Sequence, residues 1–299
     1  MTGLNGKVTL VAFAMVVIVV ATTMFATQPA SESPVDLVRK TVQREIAASD
    51  SEHKAMFTDR KATAHGSQTT LMVETRQGMV GMMIAADDKP LTLQQRQAEE
   101  AHLAGLVNNP EQLKKKQRSE REDAERIAKI MKALPDAFIY EEDGTEIGTQ
   151  NVGGVGNHLV RLKFRPDSKY NPPSHVEQVL TGMQGSLLID TDECRIAKID
   201  GTLMKDVGFG WGILGHLDKG GRFLVTQARV LEDKWEVTHM SLGFTGRILL
   251  FKSLKIASDE VFSNFHSVPP NMTFAEGVAL VKKQQSELAE NQPQPGDQK

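Results

Sequence analysis

The stretch HLVRLKFRP, His158 to Pro166, alternates without a slip: Val160, Leu162 and Phe164 fall on one side, Arg161, Lys163 and Arg165 on the other. Period-two alternation of this kind belongs to a strand with one dry and one wet face. The pattern continues from Ala137 to about Phe265 with breaks of turn length only. GSLLIDTDECRIAKIDGTLM is two alternating runs joined at Asp190 to Cys194. GRFLVTQARV and KWEVTHMSLGF are joined through Leu231-Glu232-Asp233, GRILLFKSLKI comes next as a further strand, and Pro269-Pro270 closes the region. Parallel neighbours need a crossover of a dozen or more residues, so strands joined this tightly are antiparallel. A sheet that is dry on one side must then be covered by something.

The cover comes from helices at both ends and in the middle of the chain. Ser33-Pro34-Val35-Asp36 reads as an N-cap, an N1 proline and an acidic N3, followed by Val35, Val38, Val42 and Ile46 on one helical face running to about Ala48. Residues from His53 to Leu91 read as two or three strands. Thr92 and Gln95 form a capping box, Asn109-Pro110 breaks the run, and Pro135 is expected to end it, which predicts two consecutive helices over 92–134. The second begins with EQLKKKQRSEREDAER and gathers its apolar face late, at Ile127, Ile130, Met131 and Leu134. Such a charge run is either a solvated helix laced with i,i+4 pairs or an arm that meets a partner. Thr273 and Glu276 open a last helix whose Phe274, Val278 and Val281 share a face, and the tail NQPQPGDQK has the composition of disorder.

Ahead of the fold lies VTLVAFAMVVIVVATTMFA, Val8 to Ala26, an uncharged apolar run behind a single Lys7. It reads as a signal peptide or a membrane anchor, and either one exports the rest of the chain. The expected division is therefore residues 1–30 as the targeting segment, 31–290 as a single domain with its helical insertion at 92–134, and 291–299 as a tail. The expected location is the periplasm or the periplasmic face of the inner membrane, with the N-terminal segment touching membrane during export or as an anchor.

Composition narrows the function classes. A net charge of −3 and 5% aromatic residues offer neither a basic surface nor a stacking platform for nucleic acid, so none is expected as a partner. One cysteine, Cys194, allows no internal disulfide and no cysteine-ligated zinc, and the eight histidines are scattered singly. Asp190, Asp192 and Glu193 fail the calcium-loop spacing, since the sixth position from Asp190 is Arg195 and the twelfth is Gly201. They read as a hairpin turn, and no metal is expected. Gly210-Trp211-Gly212-Ile213-Leu214-Gly215 matches the dinucleotide fingerprint letter for letter. That fingerprint works only where a parallel strand hands its glycines to a helix N-terminus. Here a turn and another strand come after it, so the stretch reads as a connection between antiparallel strands and no cofactor is expected. No catalytic residue stands out, there is no G-x-S-x-G, and a hydrolase assembled from distant strands remains as a residual reading.

An exported helix, a long antiparallel sheet and helices inserted between early and late strands, together with the meander GSLLIDTDECRIAKIDGTLM, resemble the periplasmic lipoprotein carriers of the Lol type. LPDAFIYEEDGTE and GTLMKDVGFGWGILGHLDKGG look more like a group of uncharacterised secreted bacterial proteins. The chain departs from the carriers in the greater length of its helices at 92–134. The resemblance implies an α+β fold in which the antiparallel sheet curves into a half-barrel, with an N-terminal helix, an inserted helix pair and a C-terminal helix. It implies a concave apolar groove for acyl chains.

Val160, Leu162 and Phe164 are the expected groove wall. Phe209, Trp211, Ile213 and Leu214 are four large apolar side chains in a glycine-rich loop, expected either to fold over the open end of the sheet as core or to rim the groove or dip into lipid. The leading expectation is a non-enzymatic envelope protein that binds lipid or an acylated protein. The alternative is an envelope sensor or scaffold that binds a protein partner through 92–134.

Overall fold

The computed structural model describes residues 32–48, 52–209, 215–232, 234–248 and 252–290. The expected targeting segment, the tail 291–299 and the side chains of Phe209, Trp211, Ile213 and Leu214 lie outside the described residues. No helix among the described residues is long and apolar enough to cross a membrane.

Helix α1 runs from Pro34 to Ala48, and the Ser33 hydroxyl accepts from the Asp36 amide as its cap requires. Three strands come next in a tight meander, β1 (Lys54–Thr63), β2 (Gly66–Thr75) and β3 (Gly78–Ala86), with a two-residue β4 (Lys89–Pro90) beside the last. The helix pair is α2 (Leu93–Asn108), which carries the complete Thr92/Gln95 capping box, and α3 (Pro110–Ala137), capped by Asn109. Pro135 does not end α3 as expected. It sits in the last turn, where its ring forfeits a single backbone bond and is itself buried with Leu134 and Ala137.

The rest is sheet until the final helix: β5 (Phe138–Ile147), β6 (His158–Pro166), a 3₁₀ turn at Glu177–Gly182, β7 (Met183–Asp190) and β8 (Arg195–Leu203). Next come the short β9 (Val207–Phe209) and β10 (Gly215–Leu217), then β11 (Arg222–Leu231), β12 (Lys234–Ile248) and β13 (Lys252–Val268). Helix α4 (Phe274–Glu290) closes the described chain. GRILLFKSLKI is not a separate strand, because its first residues belong to the fifteen-residue β12 and its last to β13. A Cβ at Gly246 would lie 2.1 Å from the His216 carbonyl oxygen, so glycine is what lets β10 pair with the far end of β12.

All thirteen strands form one antiparallel sheet, ordered β4-β3-β2-β1-β13-β12-β11-β8-β7-β6-β5, with the β9–β10 hairpin attached to β12. It is not closed into a barrel. It is curled, and α3 measures the curl. Glu120 of α3 accepts from the Met79 amide at the start of β3, and seventeen residues later the helix runs into β5. Seventeen helical residues span about 26 Å. The two strands are nine ladder steps apart, about 43 Å in a flat sheet. The sheet must bow, with the second half of α3 as a chord on its inner side.

Two main cores flank the sheet. On the inner face, Leu37, Val38 and Val42 of α1 and Leu134 and Ala137 of α3 pack on Leu162, Phe164, Leu187, Ile189 and Ile196. The second lies over β2 and β3, where Phe274, Val278 and Val281 of α4 and Leu103 of α2 cover Leu71, Val73, Val80 and Met82. Cross-strand partners share a face, and tracing them from Ile199 through Val225, Met240, Glu260 and Lys61 shows that this second core is on the opposite side of the sheet. Gly277 lets α4 settle there, since a Cβ would come within 2.7 Å of the Thr75 methyl.

Candidate functional site

The inner face of β6 is the apolar side of HLVRLKFRP. Leu162 and Phe164 are buried in the first core and Val160 packs against it half-buried. The other side is wet as expected. Arg161 pairs with Glu146, Lys163 with Asp143 at 2.6 Å and Arg165 with Glu141 at 3.9 Å, a ladder of exposed ion pairs across β5 and β6.

Above Phe164 the core does not close. A cavity of about 260 Å³ lies between the last turns of α3, the 3₁₀ turn and the sheet. Ile127, Ile130, Met131 and Leu134 of α3 form its roof, Val179, Leu180 and Met183 one wall, and Phe138, Phe164, Ile199, Phe223 and Phe244 its floor. Every lining residue is apolar. Phe138 and Phe164 meet in the floor as a tilted ring pair with centroids 4.7 Å apart. Tyr140 donates to the Leu134 carbonyl at 2.7 Å, which fixes the end of the roof helix against β5. Burial pushes the Tyr140 phenol up, with Asp136 adding to the effect, so it stays a neutral donor. Ile127 at the rim is 63% exposed, the mark of an apolar side chain at an opening instead of inside a core.

Of the residues expected from sequence, Phe164 lines this cavity, Leu162 belongs to the first core, and Val160 packs against that core without lining the cavity. Phe209 pairs through its backbone with Gly215 in the antiparallel β9–β10 hairpin, the setting expected for the glycine-rich stretch. The α3 face at Ile127, Ile130, Met131 and Leu134 is legible in the sequence as a helical stripe. Ile199, Phe223 and Phe244 are not separable there from ordinary strand residues, because only the curl brings β8, β11 and β12 under the same helix.

The charged half of α3 does not project from the fold. Leu113 packs against the second core, Gln117 donates to the Gln77 carbonyl at 2.8 Å, and Glu120 accepts from Met79 while pairing with Lys116. The remaining ions are solvated i,i+3 and i,i+4 pairs such as Arg126–Asp123 and Arg118–Glu122.

A polar cavity of about 510 Å³ sits at the end of α1. Arg195 makes a two-pronged contact with Glu45 at 3.0 Å and lies 5.1 Å over the Trp235 ring. Lys234 is held between Glu74 at 2.8 Å and Glu236 at 2.9 Å. Burial works to lower Lys234, but Glu236 and Glu74 outweigh it and keep the ammonium above its ordinary range. The groups are spent on one another and tie α1 and β8 to β12. Asp190 is likewise consumed in its turn: its buried carboxylate accepts from the Gly154, Asp192 and Glu193 amides and from Asn157.

No family model matches the sequence, and no curated protein matches it. Among solved structures, a DUF1329 family protein from Desulfovibrio piger is similar over 79% of this chain and 93% of its own, at 10% identity and a TM-score of 0.25. At that score the likeness carries neither site residues nor activity across.

Proposed function

We propose that this is an exported, non-enzymatic protein that binds a lipid or an acylated protein by taking an alkyl chain into the cavity under α3. The observation that carries the reading is the lining: twelve apolar residues and no polar one around about 260 Å³ of space, open beside an exposed isoleucine. A dry apolar cavity in a folded protein loses packing contacts, and an alkyl chain restores them while leaving water, at about 0.8 kcal/mol per methylene buried. The apolar run Val8 to Ala26 supports export and a place next to membrane lipid.

The test is a fluorescent alkyl probe titrated into the full-length protein and into Ile199→Phe. The larger ring fills the floor of the cavity, so the variant is expected to lose probe binding by at least about tenfold while its melting curve keeps its shape. Equal binding by the two proteins would remove the cavity from the account.

A further inference from the structure

The rim of the sheet at the end of β12 is basic. Arg247 and Lys255 on one face of the β12–β13 ladder and Lys252 on the other are all exposed, and Arg222, opposite Gly243, stands behind them. None of these four side chains has an ion-pair partner among the described residues. Elsewhere on the sheet Arg60, Lys61, Arg161, Lys163, Arg195 and Arg229 each hold a carboxylate. The carboxylates beside β9 and β10 are occupied: Asp206 accepts from the Lys219 amide, and Asp218 lies 3.1 Å from His216. A chain of net charge −3 thus keeps four unpaired cations at one end of its sheet.

The same rim gathers strand ends whose connections carry no charge. Gly215 pairs with Phe209 and with Ile248, and Ile248 pairs with Lys252, so these four strand ends are neighbours. The sequence between the first two is Gly210-Trp211-Gly212-Ile213-Leu214, and Leu249-Leu250-Phe251 joins the other two. Basic residues beside tryptophan, phenylalanine and leucine are the composition that favours the interface of an anionic bilayer.

Helix α1 also starts toward this end. Arg39 in its second turn pairs with Asp136 just before β5, and Glu45 in its last turn pairs with Arg195 at the start of β8. Successive antiparallel pairing puts the start of β5, the end of β8, the end of β12 and the start of β13 at one end of the sheet. The apolar run Val8 to Ala26 stops seven residues before Ser33, a reach of about 25 Å at most.

We infer that this end of the sheet docks on an anionic phospholipid bilayer, with Arg247, Lys252 and Lys255 at the phosphates and Arg222 behind them. Thr245, opposite Lys255, is three residues from Ile248, about 10 Å. A headgroup layer of about 5 to 8 Å and the length of a lysine side chain together cover that depth. Phe244 in the cavity floor is only one residue further back, so the cavity under α3 opens near the docked end. The docking does not depend on the alkyl-chain reading: a protein that docks without taking the alkyl probe keeps the one and loses the other.

The experiment places an environment-sensitive fluorophore on full-length Cys194→Ser protein at Ser253→Cys, which opposes Arg247, or at Glu232→Cys, in the turn at the other end of β12. Vesicles of phosphatidylcholine alone are compared with vesicles containing about 30% phosphatidylglycerol. The label reports contact at its own end whether or not the run Val8 to Ala26 also enters the bilayer. Emission at residue 253 is expected to be at least about twofold higher on the anionic vesicles, with no change at residue 232, and to lose this gain when salt is raised from about 0.05 to 0.5 M. The triple variant Arg247→Glu, Lys252→Glu, Lys255→Glu is expected to lose it at low salt. The salt series needs no charge variant, so it decides the matter even if the triple variant does not fold. Equal emission at residue 253 on both vesicles, an equal rise at residue 232, or a gain that survives high salt overturns the docking.

Discussion

A carboxylate on a mostly apolar sheet face is costly unless positive charge or donors meet it. Asp59 has one ammonium nearby, and that ammonium is already paired with Glu260. Its carboxyl is raised from 3.8 to about 6, so the folded state holds the proton more tightly than the unfolded chain. Asp59 therefore imposes no penalty below pH 4, and stability falls as pH rises from about 4 to about 6, where the penalty is complete. Because the group is half-exposed, the loss is about 1 kcal/mol at most. Thermal melts of Asp59→Asn across pH 4 to 8 should lack this decline, leaving the variant more stable than the parent at pH 8 and equal to it at pH 4. A variant less stable at both ends would mean that Asp59 is a structural acceptor.

At the scale of elements, the sequence announces what local chemistry decides and withholds what register decides. Ser33, Thr92 and Asn109-Pro110 mark helix starts because caps act within four residues. The alternation of Val160, Leu162 and Phe164 marks a dry face because strand geometry is fixed at period two. Gly246 is silent in sequence, since glycine in a strand is compatible with a turn and with a close approach alike, and only the approach of His216 distinguishes them. Phe223 and Phe244 are ordinary strand residues until the ladder of thirteen strands places them below Met131.

The network at the end of α1 is hidden for the same reason: Glu45, Glu74, Arg195 and Lys234 are far apart in sequence and meet through strand order. Here removal of one partner should be severe. Glu45→Ala strands Arg195, whose side chain is 13% exposed, and takes the acceptor from the Ile196 amide. Chemical denaturation is expected to register a loss of about 3 kcal/mol. The double variant Glu45→Met with Arg195→Met should recover most of that loss, because no unpaired charge remains. A double variant as unstable as the single would place the stabilisation in the ion pair itself. Glu120→Ala, which frees the Met79 amide from α3, should cost about 1 kcal/mol and reduce hydrogen-exchange protection at Met79 first.

On the scale of the whole molecule, the decisive feature is the curl. A flat sheet of this order would hold β3 and β5 too far apart for α3 to touch both, and α3 would then have no concave face to roof. With the curl, one helix is tied to the β2–β3 hairpin by Gln117 and Glu120 while its far end covers phenylalanines from four separate strands. The cavity is thus a consequence of global shape. The charged first half of α3, read alone as a solvated helix or a partner-binding arm, is tied to the β2–β3 hairpin through Gln117 and Glu120, and the second half spans the bow.

The proposed role stands or falls on whether this cavity holds an alkyl chain. Native mass spectrometry of the full-length protein, expressed in a bacterium and released from mild detergent, tests it most directly when paired with organic extraction and with Ile199→Phe in parallel. The account predicts a bound species on the parent protein that extracts into organic solvent, contains an alkyl chain and is absent from the variant. Parent and variant both flying at their bare masses, or both carrying the same species, would contradict it.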